Sequence, residues 1–315
     1  MNKFRLVNRS DSITIFNPLT GETIIDGSGI CDTPFLLDVS LTNKCSFNCQ
    51  YCYKHSHPNG DEMSFSDFEL LIRKMQEAHI FQVAYGGGNP NEHPFFIEIL
   101  KMTYEAGIVP NYSTNGSNLT ESIIEATGKY CGAVAVSIHN RINTYASLIQ
   151  KLTSVIKKVN VHFVMTKNKM DEIVNFLENP PEWANNINAV VLLRYKHVFN
   201  SKDQEPDETD YKSIFSSAEK SRFKIAFDAC SFPLIQKFLP SVDKSLYDYC
   251  QGGRSTAYIS EKLIMSPCSF DLSVDEDNDL HNHSIKQIFT ESGLFKKRRE
   301  EILERKICKQ YFRLI

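Results

Sequence analysis

The chain has no apolar run near the ~20 residues that span a bilayer, and its start, MNKFRLVNRSDS, lacks the apolar segment of a secretory signal. A cytoplasmic protein with no membrane partner is expected. Strong charge of either sign is also missing. With 35 Lys and Arg against 38 Asp and Glu, the net charge is -3, so no whole-protein field draws nucleic acid or an anionic surface. Repeats and low-complexity tracts are absent, and 42% hydrophobic residues with 14 Gly and 12 Pro exclude disorder and collagen. What the chain does have is cysteine. Nine thiols are many for a reducing compartment, where clustered cysteines serve as metal ligands or catalytic groups more often than as disulfides.

Residues 1–34 read as a small β-hairpin extension, SITIF and ETIIDG flanking the turn chemistry of NPLTG. From residue 35 short apolar runs alternate with helix-period segments. The runs PFLLDVSL, FQVAY, IVPNYST, GAVAVSI, VNVHFVMT and INAVVLLRY begin at 35, 81, 108, 132, 159 and 187, the rhythm of buried parallel strands with crossover helices. Ser66 and Glu69 suggest a capping box before the stripe Phe68, Leu71, Ile72 and Met75, and Thr120 to Gly128 suggest a second, shorter helix. The expected fold is α/β, a partial (β/α)6 barrel over residues 35–222. After Arg222 the alternation stops, and residues 223–315 form an irregular, cysteine-bearing extension. Its FKKRREEILERK stretch has mixed charge at i,i+4 spacing, which reads as a solvated helix face.

Directly after the first strand comes CSFNCQYCY, with Cys45, Cys49 and Cys52 spaced C-x3-C-x2-C. Three thiolates on one short loop can hold three corners of a 4Fe-4S cube and leave the fourth iron open to an exogenous chelate. The alternatives are a zinc site completed by His55 or His57, or plain buried cysteines. Zinc fits poorly because structural zinc takes two well-separated ligand pairs. Gly86, Gly87 and Gly88 follow the second strand in YGGGNP, where backbone can approach a ligand because no side chain intervenes.

At these residues the chain resembles the radical S-adenosylmethionine (radical SAM) enzymes. The resemblance implies that SAM chelates the open iron, that one electron cleaves its sulfonium, and that the resulting 5'-deoxyadenosyl radical takes a hydrogen atom from the substrate. It also implies that Tyr51 lies against the adenine and that Gly86 to Gly88 hold the ammonium of SAM. Asn89 stands where the family usually has glutamate, keeping a carbonyl acceptor without the charge. Asn115, in STNG, and Ser137, ending the fourth strand, match further SAM-binding positions, and Arg194 on the sixth strand would pair with the SAM carboxylate. His139 and Asn140 follow the fourth strand where related peptide-modifying enzymes usually carry aspartate.

The tail segments DAC, YCQGGR and SPCSF resemble the auxiliary-cluster module called SPASM in its shortened, twitch form, implying an auxiliary 4Fe-4S cluster on Cys230, Cys250, Cys268 and Cys308. Ligation by all four, by three, or no cluster at all remain open. Cys31 and Cys131 read as small buried hydrophobes. The stretch DEDND fails as an EF-hand loop, since Leu280 and Lys286 occupy the glycine and glutamate positions. The resemblance implies a peptide or protein substrate and an electron donor such as flavodoxin or ferredoxin. Against a leader-bearing peptide, residues 1–34 are too few for a separate leader-recognition domain. The rival readings are radical chemistry on a small molecule (a cofactor, nucleoside or sugar) and a non-catalytic iron-sulfur electron-transfer protein whose SAM site has decayed at Asn89.

Overall fold

The computed structural model describes residues 4–9, 12–27, 31–47, 49, 51–196, 205–243, 250–271 and 276–303. Cys308, named above as an auxiliary ligand, lies outside them, as does Asp275 of the acidic stretch. The chain divides into two compact units, residues 1–48, 54–132 and 251–306 in the first and 49–53, 133–250 and 307–315 in the second.

The first unit opens with three antiparallel strands, β1 (Arg5–Arg9), β2 (Ser12–Phe16) and β3 (Thr23–Gly27). The hairpin expected from sequence is therefore a three-stranded sheet, β1 having been hidden by its polar RLVNR run. Phe16 fastens this sheet by stacking on Phe81, centroids 5.0 Å apart. Then come β4 (Leu36–Thr42), α1 (Phe65–Glu77), β5 (Gln82–Gly87), α2 (Phe96–Glu105), β6 (Val109–Thr114) and α3 (Glu121–Tyr130). The stripe Phe68, Leu71, Ile72 and Met75 is buried as expected, but the N-cap is Ser64, whose side chain accepts from Asp67 N. Thr120 caps α3, which runs past Gly128 to Tyr130. Along β4, Leu37, Val39 and Leu41 are buried in the core, leaving Asp38 and Ser40 on the opposite face by strand alternation.

The second unit contains β7 (Ala133–Ser137), α4 (Ala146–Val155), β8 (Val159–Met165), α5 (Met170–Glu178), β9 (Ala189–Arg194), α6 (Glu208–Lys220), β10 (Ile225–Phe227) and α7 (Phe232–Phe238). Its strands are parallel in the order β10-β9-β8-β7. The βα alternation continues past Arg222 for one strand more than the sequence suggests, because IAF is too short to carry a period.

On returning to the first unit the chain adds β11 (Thr256–Ile259), parallel to β4, and β12 (Met265–Ser266), antiparallel to β11. The order there is β6-β5-β4-β11-β12. Part of the tail is thus regular sheet rather than irregular chain. Last come α8 (Ile285–Glu291) and α9 (Gly293–Leu303). Arg298 is buried and Arg299 donates to the carbonyls of Gly253 and Phe289, so α9 is more than the solvated face expected.

Candidate functional site

In the first unit, β4 ends at Thr42 and delivers Cys45 into a loop pinned by backbone bonds. Cys45 N donates to His57 O (3.1 Å), and Gly88 N and Asn89 N donate to Thr42 O (2.6 Å) and Lys44 O (2.9 Å). The triple glycine is explained in part by this docking. A Cβ on Gly87, which has φ of 110°, would overlap Ser40 Oγ and the Thr42 carbonyl, and one on Gly88 would overlap the Lys44 carbonyl. Only backbone fits there. At Gly86 the nearest atom to an added Cβ is Ser113 Oγ at 3.8 Å, so packing does not demand glycine at that position.

Asn89 is 1% exposed, and its side chain is engaged by the protein. Nδ2 donates to Glu92 Oε1 (3.0 Å) and Ser117 O (3.1 Å), while Oδ1 accepts from Thr114 Oγ1 (3.0 Å) and Asn115 N (3.2 Å). An amide offers two donors and two acceptor sites; both donors and one acceptor site are used, and the other acceptor site shares the single Thr114 hydroxyl proton with Asn91 Oδ1, which lies nearer at 2.6 Å. Asn89 Oδ1, the acceptor that the sequence expectation assigns to the SAM ammonium, is turned here toward Thr114 and Asn115. Asn115 uses one donor and one acceptor site: Nδ2 donates to Cys45 Sγ (3.3 Å) and Oδ1 accepts from Ser117 N (2.8 Å). Sequence reasoning missed Glu92, whose carboxylate accepts from Ser46 N (3.1 Å) and Ser46 Oγ (2.8 Å), one residue beyond Cys45.

In the second unit, Cys49 and Tyr51 meet His139. Tyr51 OH lies 2.8 Å from His139 Nδ1, Cys49 Sγ lies 3.7 Å from it, and the Tyr51 and His139 rings stack. Burial lowers the His139 pKa to about 4, with Lys169 adding repulsion, so the ring is neutral at pH 7. Burial, then the neighbouring Cys49, push the Tyr51 phenol above its ordinary range. Ser137 ends β7 in register with His162 of β8. Arg194, 4% exposed, donates Nη1 to Cys230 O (3.0 Å) and its backbone N to Asp228 Oδ1 (3.1 Å). Arg194 is thereby tied to the backbone of the first tail cysteine. Cys230 and Cys250 belong to this unit and Cys268 to the first. Phe270 N donates to Cys268 Sγ at 3.4 Å.

A polar cluster that sequence reasoning also missed stands beside β4. Lys54 and Glu261 form a 2.7 Å ion pair with side chains 9% and 11% exposed. Lys54 also donates to Tyr258 OH (2.8 Å) and Ser40 Oγ to Glu261 (2.9 Å). Asp38, paired in register with Tyr258, keeps accessible surface although the surrounding protein raises its pKa to about 6.

The donor set of the cysteine loop fits a cluster better than one ion. Among the described residues no three His, Cys, Asp or Glu side chains converge as a mononuclear site requires. A cubane asks for something else, since each thiolate takes a different iron and an N–H donor at the sulfur suits a thiolate. Buried Cys45, with Asn115 aimed at it, has that chemistry. Cys31 is buried as expected, whereas Cys131 is partly buried, with desolvation pushing its thiol far up.

Strands that are mostly parallel, crossover helices, and thiols and glycines gathered at strand ends define an α/β protein of the partial-barrel class. Residues 39–158 match the model of the Radical SAM superfamily. The tungsten-containing aldehyde ferredoxin oxidoreductase cofactor-modifying protein of Pyrococcus furiosus is 28% identical over 94 residues, which is 28% of this chain and 26% of that relative. The S-adenosylmethionine-dependent nucleotide dehydratase of Flammeovirga pacifica is 23% identical over 230 residues, 64% of this chain and 77% of that one. Streptococcus suis SuiB bound to S-adenosylmethionine matches with TM-score 0.76 at 13% identity, covering 95% of this chain and 89% of that chain. The same protein bound to its precursor peptide SuiA matches with TM-score 0.69 at 16% identity, over 86% of this chain and 67% of that chain. These likenesses bear out the α/β partial-barrel fold. Among the described residues, no helix is long and apolar enough to cross a membrane.

Proposed function

We propose that this chain is a radical SAM enzyme that modifies a peptide or protein after translation. The observation that carries the reading is the C-x3-C-x2-C loop at the end of β4, docked on a triple-glycine loop that admits no side chain at two positions. Cys45, Cys49 and Cys52 hold the 4Fe-4S cluster, and Tyr51, Gly86 and Ser137 serve SAM. When bound, the cluster would supply one electron for reductive cleavage of SAM and so the means of taking a hydrogen atom from the substrate. The protein's share is to orient and to exclude water. Gly87 and Gly88 let two loops close on one another, Asn89 and Asn115 fix the Cys45 side, and neutral His139 holds the Tyr51 hydroxyl. By the sequence resemblance, the second group, Cys230, Cys250, Cys268 and Cys308 within residues 223–315, would hold an auxiliary 4Fe-4S cluster, which would supply an electron acceptor. A flavodoxin or ferredoxin supplies the reducing electron.

The peptide substrate is supported by the likeness to SuiB, solved with its precursor peptide. A nucleotide substrate is the second reading, favoured by the match to the nucleotide dehydratase over 64% of this chain. Anaerobically reconstituted protein, given SAM and dithionite, is incubated with short peptides encoded beside it and, separately, with nucleotides. A mass change in a peptide supports the first reading. Loss of water from a nucleotide with unchanged peptides overturns it in favour of the second.

A further inference from the structure

The side chains around Cys45 close a ring. Ser46 N and Oγ donate to the Glu92 carboxylate at 3.1 and 2.8 Å, and Asn89 Nδ2 donates to the same carboxylate at 3.0 Å. Asn89 Oδ1 accepts from Asn115 N at 3.2 Å, and Asn115 Nδ2 returns to Cys45 Sγ at 3.3 Å. Ser46 is the residue after Cys45, so the circuit is complete through five residues. All of it is in the first unit.

The direction of each bond is fixed by chemistry. Asn115 Oδ1 accepts from Ser117 N at 2.8 Å; turned over, the amide would set NH2 against a backbone N–H and leave the sulfur facing an oxygen. Asn89 is locked likewise, because Nδ2 faces a carboxylate and a carbonyl while Oδ1 faces a backbone N–H. Cys45 is 8% exposed and Asn115 7%, so water competes little for the N–H···S contact. A hydrogen-bond donor at a ligand sulfur stabilises the negative charge that a cluster gains on reduction, and such bonds are among the factors that set cluster potentials.

We propose that Asn115 tunes the reduction potential of the cluster held by Cys45, Cys49 and Cys52 by donating its Nδ2–H to the Cys45 sulfur, and that Asn89 is the positioning residue that aims it. The inference rests on the cluster reading above and adds a role to two residues that the sequence pattern treats as SAM ligands. Asn115 raises the potential toward the reach of a biological donor. Asn89 acts at one remove, through the Asn115 backbone and the Glu92 carboxylate.

The test is a redox titration of the reconstituted full chain, followed by electron paramagnetic resonance. The signal that changes when SAM is added identifies the cluster with the open iron. Wild type is compared with Asn115→Ala, Asn115→Asp and Asn89→Ala, with iron counted in each. Asn115→Asp keeps Oδ1 for the Ser117 turn, which guards against a variant that fails to fold, but replaces the donor with a carboxylate charge, so Asn115→Ala is the variant that reads loss of the donor without added charge. The expected result is unchanged iron with the potential shifted downward in all three, furthest in Asn115→Asp, where an oxygen replaces the N–H. Independently, wild type labelled with 15N-asparagine shows a nitrogen coupling to the reduced cluster that Asn115→Asp lacks. Full iron with an unshifted potential, or no such coupling in wild type, overturns the proposal while leaving the cluster reading intact. If wild type shows no SAM-sensitive iron signal, the cluster reading fails and the proposal fails with it.

Discussion

Asn89→Asp is the sharpest structural perturbation available, because it keeps shape and acceptor while removing both donors. In the native protein those donors reach Glu92 Oε1 at 3.0 Å and Ser117 O at 3.1 Å. Loss of a hydrogen bond to a charged group costs about 1.5–3 kcal/mol and of a neutral one about 0.5–1.5 kcal/mol. Ser117 O keeps a second donor, Asn91 Nδ2 at 2.6 Å, which holds the neutral contribution toward its low end. The sum is about 2–4 kcal/mol, and a new carboxylate beside Glu92 adds like-charge repulsion. Urea unfolding of the metal-free protein reads this directly, free of any effect on SAM. Asn89→Glu tests the same reasoning from the other side. The family pattern implies that glutamate there tightens SAM binding, whereas the network implies a destabilised loop and weaker binding. An Asn89→Asp protein within about 0.5 kcal/mol of wild type, the range of an ordinary surface change, would refute the reasoning.

Three further outcomes are expected. Gly88→Ala should lower iron loading, because its Cβ meets the Lys44 carbonyl, while Gly86→Ala should keep the unfolding midpoint and weaken SAM binding alone; equal effects in iron assays and SAM titrations would remove the distinction. His162, held near pKa 4 by burial, is neutral in the folded state and protonated in the unfolded state between about pH 4 and 6.5, so its contribution is lost as pH falls through that window. By linkage this amounts to at most about 3 kcal/mol, and His162→Val should flatten urea-unfolding stability between pH 7 and 4.5. Glu261→Ala should cost about 3–5 kcal/mol by stranding buried Lys54, and adding Lys54→Met should recover part of it; additive losses in the unfolding cycle would show that the two side chains do not couple.

Much of the frame is legible in the chain because strand runs such as VNVHFVM announce themselves by periodicity, and all six expected strands of residues 35–194 are present. The misses have local causes. Ser64 and Ser66 both precede a capping partner at N3 spacing and lie 2.9 Å apart, so sequence alone chooses between them poorly. β11 is only four residues long and gains its place from pairing with β4, more than 200 positions earlier. Such a pairing leaves no local signal. The cysteine loop is readable because thiol spacing carries its chemistry within eight residues, Cys45 to Cys52. Asn89 is different. Its meaning depends on Thr114 and Asn115, which reach it across the β5–β6 edge, and on a carboxylate three residues along at Glu92. A motif comparison sees the missing glutamate at 89 and not the network that surrounds the asparagine there.

The most direct measurement of the central claim is 5'-deoxyadenosine release by anaerobically reconstituted protein given SAM and dithionite. The account expects slow release without substrate, abolished in a Cys45→Ala, Cys49→Ala, Cys52→Ala variant that still retains about four iron atoms on the second cysteine group, one full cube. Iron-loaded, reduced wild type that leaves SAM intact would contradict it.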